Sequence, residues 1–445
     1  MTAYTLAVLS GCSRDSSIQR ALNKGTGVVT LPPGTTELTR ELLVPPESKD
    51  LEIVGSEDSV LKASPQFQGR GLLVLERGER IKLRNFTIDG NRGNIGRPTE
   101  IPPSESSFLA HFGANGVVLS GCGDTLVSAV RFREIAGMAV LVYQCKKVRI
   151  EKVTVEESGW RNSRNRNNTS GGILFEEGTE DFEVRDSVFR RVMGNAVWTH
   201  SMFRSPRNNR GIIAGNQFDQ IGRDAVQVGH ANQVRVENNS GKFIGFPHDV
   251  VDVEGGGIPV GIDTAGKVDE SVYTNNRFEE INGKCIDLDG FHDGEVSANT
   301  CINRGKADDY PQGHFGLVMN NTNPQMESQF ITVRENVFDG TKFGGIFVIG
   351  HDHKIINNRL RNINRAKCNE AAAVYGCSHF PNEPDLMQSG IYLGMRAERM
   401  SPARNNRVEG NEVSGHKMKE RCVMAAPTVP KDANTVRGNT CTDAE

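Results

Sequence analysis

A four-residue phrase made of a small residue, an aliphatic, a variable residue and another aliphatic recurs down the chain, and it constrains the fold more than any other feature. It reads Gly116-Val-Val-Leu, Ala139-Val-Leu-Val, Gly172-Ile-Leu-Phe, Ala196-Val-Trp-Thr, Ala225-Val-Gln-Val, Val250-Val-Asp-Val, Cys285-Ile-Asp-Leu, Gly316-Leu-Val-Met, Gly345-Ile-Phe-Val, Gly390-Ile-Tyr-Leu and Cys422-Val-Met-Ala. Each copy has the length and residue types of a short strand. The later copies are followed by a second phrase, an Asn two residues before an apolar side chain: Asn216/Phe218, Asn276/Phe278, Asn299/Cys301, Asn336/Phe338, Asn358/Leu360, Asn411/Val413 and Asn439/Cys441. Paired phrases returning at intervals of roughly 20 to 45 residues define a solenoid, because one repeat cannot bury its own apolar face. The expectation is an all-β chain: an N-terminal segment and helical cap over residues 1–30, then one repeat domain over 31–445. The Asn positions are read as structural, since Asn tolerates left-handed turns and stacked amides bond to one another.

A net charge of -3, with 52 Lys+Arg against 55 Asp+Glu, leaves no basic footprint for nucleic acid or a lipid surface. No window approaches the roughly 18 apolar residues of a membrane span. Nine cysteines cannot all pair internally. Cys285, Cys301, Cys422 and Cys441 fall at inward phrase positions and read as buried thiols, whereas Cys122 with Cys145, and Cys368 with Cys377, are candidate disulfides. Leu9-Ser10-Gly11-Cys12 has the form of a lipoprotein cleavage site without a basic segment before it. A secreted, periplasmic or outer-surface location is the expectation, as a monomer or a homo-oligomer.

Ser17–Asn23 is a short amphipathic helix by its Ile18/Leu22 spacing, and it precedes Val28-Val-Thr-Leu-Pro-Pro-Gly. Together with Arg84-Asn-Phe-Thr-Ile-Asp-Gly-Asn, this opening resembles that of the pectate-lyase-like superfamily. The resemblance implies a single-stranded right-handed parallel β-helix with an N-terminal α-helical cap. It names no reaction, since that superfamily includes lyases, hydrolases, epimerases and non-catalytic adhesins.

Alternate residues of a strand leave opposite faces. The outward column down the first phrase is expected to read Leu141, Leu174, Trp198, Gln227, Asp252, Asp287, Val318, Phe347 and Tyr392, and a second column Tyr143, Glu176, His200, Gly229, Glu254, Asp289, Asn320 and Ile349. Carboxylates concentrate in the two rungs beginning Val250 and Cys285, although like charges stacked at about 4.8 Å repel. Such concentration points to chemistry rather than to solubility. Asp252 and Asp287 are expected roughly 5 Å apart, which suits a carboxylate pair sharing a proton, a metal site or a retaining glycosidase, and Asp252 and Asp289 about 8 Å, the separation of an inverting one.

Arg223-Asp-Ala-Val-Gln-Val-Gly-His, Asp249-Val-Val-Asp252 and Gly313-His314 resemble the motifs of polygalacturonase-type hydrolases, although Gly283-Lys284 stands where that family has Asp-Asp. Gly245-Phe-Pro-His-Asp249 is similar to a signature of alginate C5-epimerases, with His248 and Asp249 as the shared positions. Asp252, Asp287 and Asp289 are therefore the candidate acid, base or nucleophile, supported by Asp224, Asp249 and Glu254. A lyase or epimerase would take its base from His200, His230, His248 or His292, and its neutralising cation from Lys284, Arg223 or the arginines of the 161–166 loop. Trp198, Phe347 and Tyr392 are candidate stacking surfaces for sugar rings, with Gln227, Glu176 and Asn320 as polar contacts. The leading reading is hydrolysis of a poly- or oligosaccharide, with elimination or C5-epimerisation of a uronan as the alternative and a glycan-binding solenoid as the third. No cofactor is required, and Ca²⁺ is an optional guest of the same carboxylates.

Overall fold

The computed structural model describes residues 14–95, 106–161, 166–167, 169–251, 258–313, 315–323, 325–368, 377 and 381–444. Its 41 described strands form one sheet in which every strand pairing is parallel and joins one winding to the next. A sheet paired in this way is a coil, and the chain is an all-β parallel β-helix. Ten strands of one face position the candidate site: β1 (Asn115–Ser120), β2 (Met138–Tyr143), β3 (Gly171–Glu176), β4 (Asn195–His200), β5 (Val226–Asn232), β6 (Val260–Asp269), β7 (Lys284–Asp289), β8 (Leu317–Asn320), β9 (Ile346–Val348) and β10 (Ile391–Leu393). The helix α1 (Arg14–Leu22) buries Ile18 and Leu22, and its Gln19 side chain exchanges two hydrogen bonds with the Leu43 backbone.

The interior explains the phrase. Phe189 and Phe218 stack at 5.2 Å, and Phe218 and Phe278 at 6.4 Å with Gly241 in register between them. A Cβ on Gly241 would lie 2.5 Å from the Phe278 ring, so the glycine leaves room for that ring. The first phrase position is small for a second reason: it faces the second phrase across the same winding, where a Cβ on Gly316 would fall 2.5 Å from Phe338.

Asn216, Asn239, Asn276, Asn299, Asn336, Asn358, Asn411 and Asn439 form an unbroken amide ladder, in which each Oδ1 from Asn239 onward accepts both the backbone N–H and the side-chain amide of the Asn one winding earlier, at 2.9–3.1 Å. Their left-handed role is a correction. The residues with positive φ are those just before, with Asn238, Asn275, Ala298, Glu335 and Asn357 between 53° and 57°. The ladder residue itself is chosen for its amide, which satisfies buried backbone groups at the corner.

The cysteine pairing also differs from expectation. Cys285–Cys301 and Cys422–Cys441 are disulfides, as is Cys368–Cys377, while Cys122 and Cys145 are buried free thiols. The two inward phrase positions of one winding face each other across the narrow interior, with Cα atoms 6.1 Å and 5.7 Å apart, inside the range a disulfide needs. Cys122 and Cys145 sit on successive windings, and the Cys122 N–H donates to Cys145 Sγ at 3.1 Å.

One buried histidine gives the fold a pH dependence. His353 is fully enclosed, its Nδ1 accepting from Ile331 N–H at 3.1 Å and its Nε2–H donating to Ile349 O at 2.9 Å, which is the neutral ring. Burial pushes its pKa down to about 4. The unfolded chain takes up this proton near pH 6.5, so the contribution is full above that pH and is lost as pH falls from 6.5 toward 4, on the order of 3 kcal/mol. Urea midpoints at pH 7 and 4.5 are expected to fall further in the wild type than in His353→Gln. Equal falls would remove His353 as the cause.

Candidate functional site

The outward column of this face runs in register Leu141, Leu174, Trp198, Gln227, Asp263, Asp287, Val318, Phe347 and Tyr392. It differs from the sequence expectation at one rung, where Asp263 stands in the place given to Asp252. Asp252 and Glu254 lie outside the described residues. The rung does not restart at Val250, because His248–Val250 form a single 3-10 turn and the strand begins at Val260. Pro247, Pro259 and the run Gly255-Gly-Gly explain this: the first two cannot donate to a ladder and the third is a poor strand former. The second column pairs Tyr143, Glu176 and His200 in register, and then Asp289 with Asn320.

Three carboxyl groups, Asp224, Asp263 and Asp287, meet here with almost no exposure. Asn195 Nδ2 donates to Gln227 Oε1 at 2.7 Å, and Gln227 Nε2 to Asp263 Oδ2 at 2.6 Å. Asp224, just before β5, accepts from Val260 N–H at 2.9 Å and lies 3.6 Å from the Arg223 guanidinium. Lys284, the first residue of β7, folds along its own strand to pair with Asp287 Oδ2. Asp287 Oδ1 is buried and has no hydrogen-bond partner among the described residues. Asp289, two residues on and partly exposed, accepts from Thr322 N–H at 2.8 Å.

Burial and crowding set the protonation of this group. Burial raises the Asp263 carboxyl well above its ordinary value, and the charges of Asp224 and Asp287 add to it. Burial raises Asp224 to about 6 against the pull of Arg223 and the Val260 N–H. Asp289 also rises to about 6, through burial first and the neighbouring Asp287 second. Burial disfavours the Lys284 ammonium, but the ion pair with Asp287 outweighs it and its pKa is raised.

Beside these groups opens a cleft of about 500 Å³ with Val318, Phe315, Phe347 and Ile258 as its apolar lining and Lys284, Asn320, Glu383 and Arg396 as polar walls. Asn320 and Phe347 line this cleft. Other candidates do not. Trp198 is 9% exposed because Phe108 packs edge-on against it at 4.9 Å, and Tyr392 is 1% exposed behind Phe347. Glu176 is fully buried and its two oxygens accept from the N–H groups of Phe108 and Leu109, so it anchors that turn. His200 contacts the Phe108 ring at 4.6 Å and His230 at 6.4 Å. Burial pushes His230 down to about 4, with His200 and Arg207 adding to the effect. His248 and Asp249 are exposed on the 3-10 turn, and His292 is ion-paired between Asp269 and Asp293.

Glu176, Glu177 and His200 are the one group among the described residues whose ligand atoms come within 4.8 Å of one another. Both carboxylates already serve backbone N–H groups, Glu177 that of Met202 at 2.7 Å, so the arrangement is that of a loop anchor.

The fold and the row of carboxyl groups define a parallel β-helix protein with a largely apolar cleft beside those groups on one face. No family model matches the chain, and no curated protein sequence matches it. Solved structures do. PfbA, a surface adhesin of Streptococcus pneumoniae, is 15% identical with a TM-score of 0.57, over 79% of this chain and 87% of that one. DFA-IIIase from Arthrobacter chlorophenolicus is 12% identical with a TM-score of 0.52, over 95% and 92%. A GH136 lacto-N-biosidase from Eubacterium ramulus is 13% identical with a TM-score of 0.50, over 88% and 62%. At these identities the likeness establishes the fold.

Proposed function

We propose that the chain is a glycoside hydrolase acting on a neutral poly- or oligosaccharide, with Asp289 as general acid and Asp287 as general base. The observation that carries this is the buried, unpartnered Oδ1 of Asp287 beside an Asp289 carboxyl raised to about 6. Glycosidic cleavage needs one carboxyl group able to donate a proton and a second placed to accept one. Asp289 gives its proton to the leaving oxygen as the C1–O bond breaks. Asp287 takes a proton from the water whose oxygen bonds to C1. Residues two apart on a strand lie about 6.6–7 Å apart, inside the roughly 6.5–9.5 Å window of inverting enzymes, so inversion at C1 is the expected outcome. Asp263, bonded to Gln227, and Asp224 hold the row in place.

Preference for a neutral glycan follows from charge. Lys284 and Arg223 are engaged with Asp287 and Asp224, while Asp289, Glu383 and Glu398 add negative charge around the cleft. Arg396 is the exposed cation of the lining, and its guanidinium donates to the Ala397 and Glu398 carbonyls. Among the described residues of that lining a uronate would meet one such cation against the carboxylates of Glu383 and Glu398, which weighs against the lyase and epimerase reading. Three disulfides suit an oxidising compartment, and we place the protein in the periplasm or outside the cell. The helix α1 is read as the cover of the first winding.

The test is a product screen on xylan, arabinogalactan, inulin and lacto-N-tetraose, with polygalacturonate and alginate for comparison. New reducing ends from a neutral glycan, without new ultraviolet absorbance and unaffected by EDTA, are expected. Unsaturated products from a uronan would replace hydrolysis by elimination, and binding without any product would leave a glycan-binding solenoid.

A further inference from the structure

The face that carries the carboxyl groups is obstructed on both sides along the solenoid axis. Toward the N-terminus, the turn Phe108–Ala110 lies across β2, β3 and β4, pinned by Glu176, and Phe108 and Phe112 cover Leu141, Leu174 and Trp198. Toward the C-terminus, the segment around Glu383–Gln388 covers β9 and β10. Glu383 Oε1 accepts from Met395 N–H at 2.8 Å and Arg396 N–H at 3.0 Å, Asp385 is ion-paired to Arg421, and Phe347 and Tyr392 are left 5% and 1% exposed. Between the two covers lie Gln227, Asp263, Asp287 and Val318, each itself only 6–9% exposed, and the cleft opens beside Val318. Three winding-to-winding steps span about 14 Å at the usual strand spacing. A polymer lying along the axis would have to pass under one of these covers, and each is packed against its strands.

We infer that the site takes the end of a glycan rather than the middle of one, and releases a short oligosaccharide of constant length. The inference rests on the hydrolase reading and adds where on the chain it cuts. The terminal sugar sits in the cleft against Phe347 and Val318, and Glu383 and Arg396 form its end wall. The Tyr392 hydroxyl and the Glu383 carboxylate are buried within the wall, and the exposed Arg396 and Glu398 side chains at its rim are the groups that can hydrogen-bond the hydroxyl groups of a chain end. Cleavage consumes one water per bond, with the proton movements given above.

The test uses xylo-, fructo- and galacto-oligosaccharides of three to eight residues, tagged at the reducing end with 2-aminobenzamide, and the parent polymers. One untagged or one tagged product of fixed length from every substrate is expected, with polymer viscosity unchanged while the first few per cent of bonds are cut. A ladder of product lengths with steep viscosity loss would overturn end recognition and leave hydrolysis standing. No cleavage of any glycan would overturn both. Arg396→Met removes the exposed guanidinium at the rim while leaving the backbone N–H that donates to Glu383, and is expected to raise KM for a trisaccharide about tenfold with less effect on kcat. Unchanged KM in a folded variant would remove Arg396 from the wall.

Discussion

Replacing Asp289 by asparagine is expected to lower turnover about 10²–10⁴-fold, the usual contribution of a positioned acid. The wild-type carboxyl is raised to about 6, so it is protonated below that pH and able to donate. Above about pH 6 the protonated fraction falls tenfold per pH unit, and the rate should fall with it. In Asp289→Asn this alkaline limb disappears together with most of the activity. The loss should shrink on a 2,4-dinitrophenyl glycoside of the released sugar, because that leaving group needs no proton. A loss of equal size on both substrates would mean that Asp289 is not the acid. Asp287→Asn should be as damaging on both, since the water still needs a base. Asp263→Asn provides the contrast. Its carboxyl is raised far above the ordinary range, and an amide can keep the bond to Gln227, so activity within about threefold of wild type is expected.

How much of this was legible in the residues depends on which physical constraint each part obeys. The winding strands were legible because the interior limits volume: Gly316 across from Phe338 and Gly241 between Phe218 and Phe278 leave room for those rings. The outward column followed from strand alternation alone and matches at eight of its nine positions, from Leu141 to Tyr392. The exception is instructive. Gly261-Ile-Asp-Thr has the same form as Ala196-Val-Trp-Thr, so Asp263 carried its own signal, but Val250-Val-Asp-Val offered a purer aliphatic match a few residues earlier. Pro247, Pro259 and the three glycines between them were the sign that the earlier match could not join a ladder. The covers were not legible. That Phe108 would lie on Trp198, or that Glu176 would spend both oxygens on backbone N–H groups, depends on loop paths that no periodicity encodes. The same holds for Lys284, which sequence could offer only as a free cation and which folds back onto Asp287.

That lysine sets the second large effect. Lys284→Met is expected to cost about 3–5 kcal/mol at pH 8, as removing one partner of a buried ion pair leaves the other charge uncompensated. The Lys284 ammonium lies among Asp287, Asp263 and Asp289, and its charge is favoured by all three even though burial opposes it. Without it the neighbouring carboxyl groups can regain neutrality only by binding protons. The carboxyl groups of Asp263 and Asp289, already raised above the unfolded carboxylate near 3.9, then rise further, so the variant is least impaired at low pH and loses stability as pH rises through those raised values. Urea midpoints of wild type and Lys284→Met should therefore differ little at pH 5 and widely at pH 8. Adding Asp287→Asn to the variant should recover part of the loss at pH 8, because the charge left stranded is then gone. A deficit that is the same at both pH values would assign Lys284 a packing role, and the site would have to be rebuilt without an ion pair at its centre.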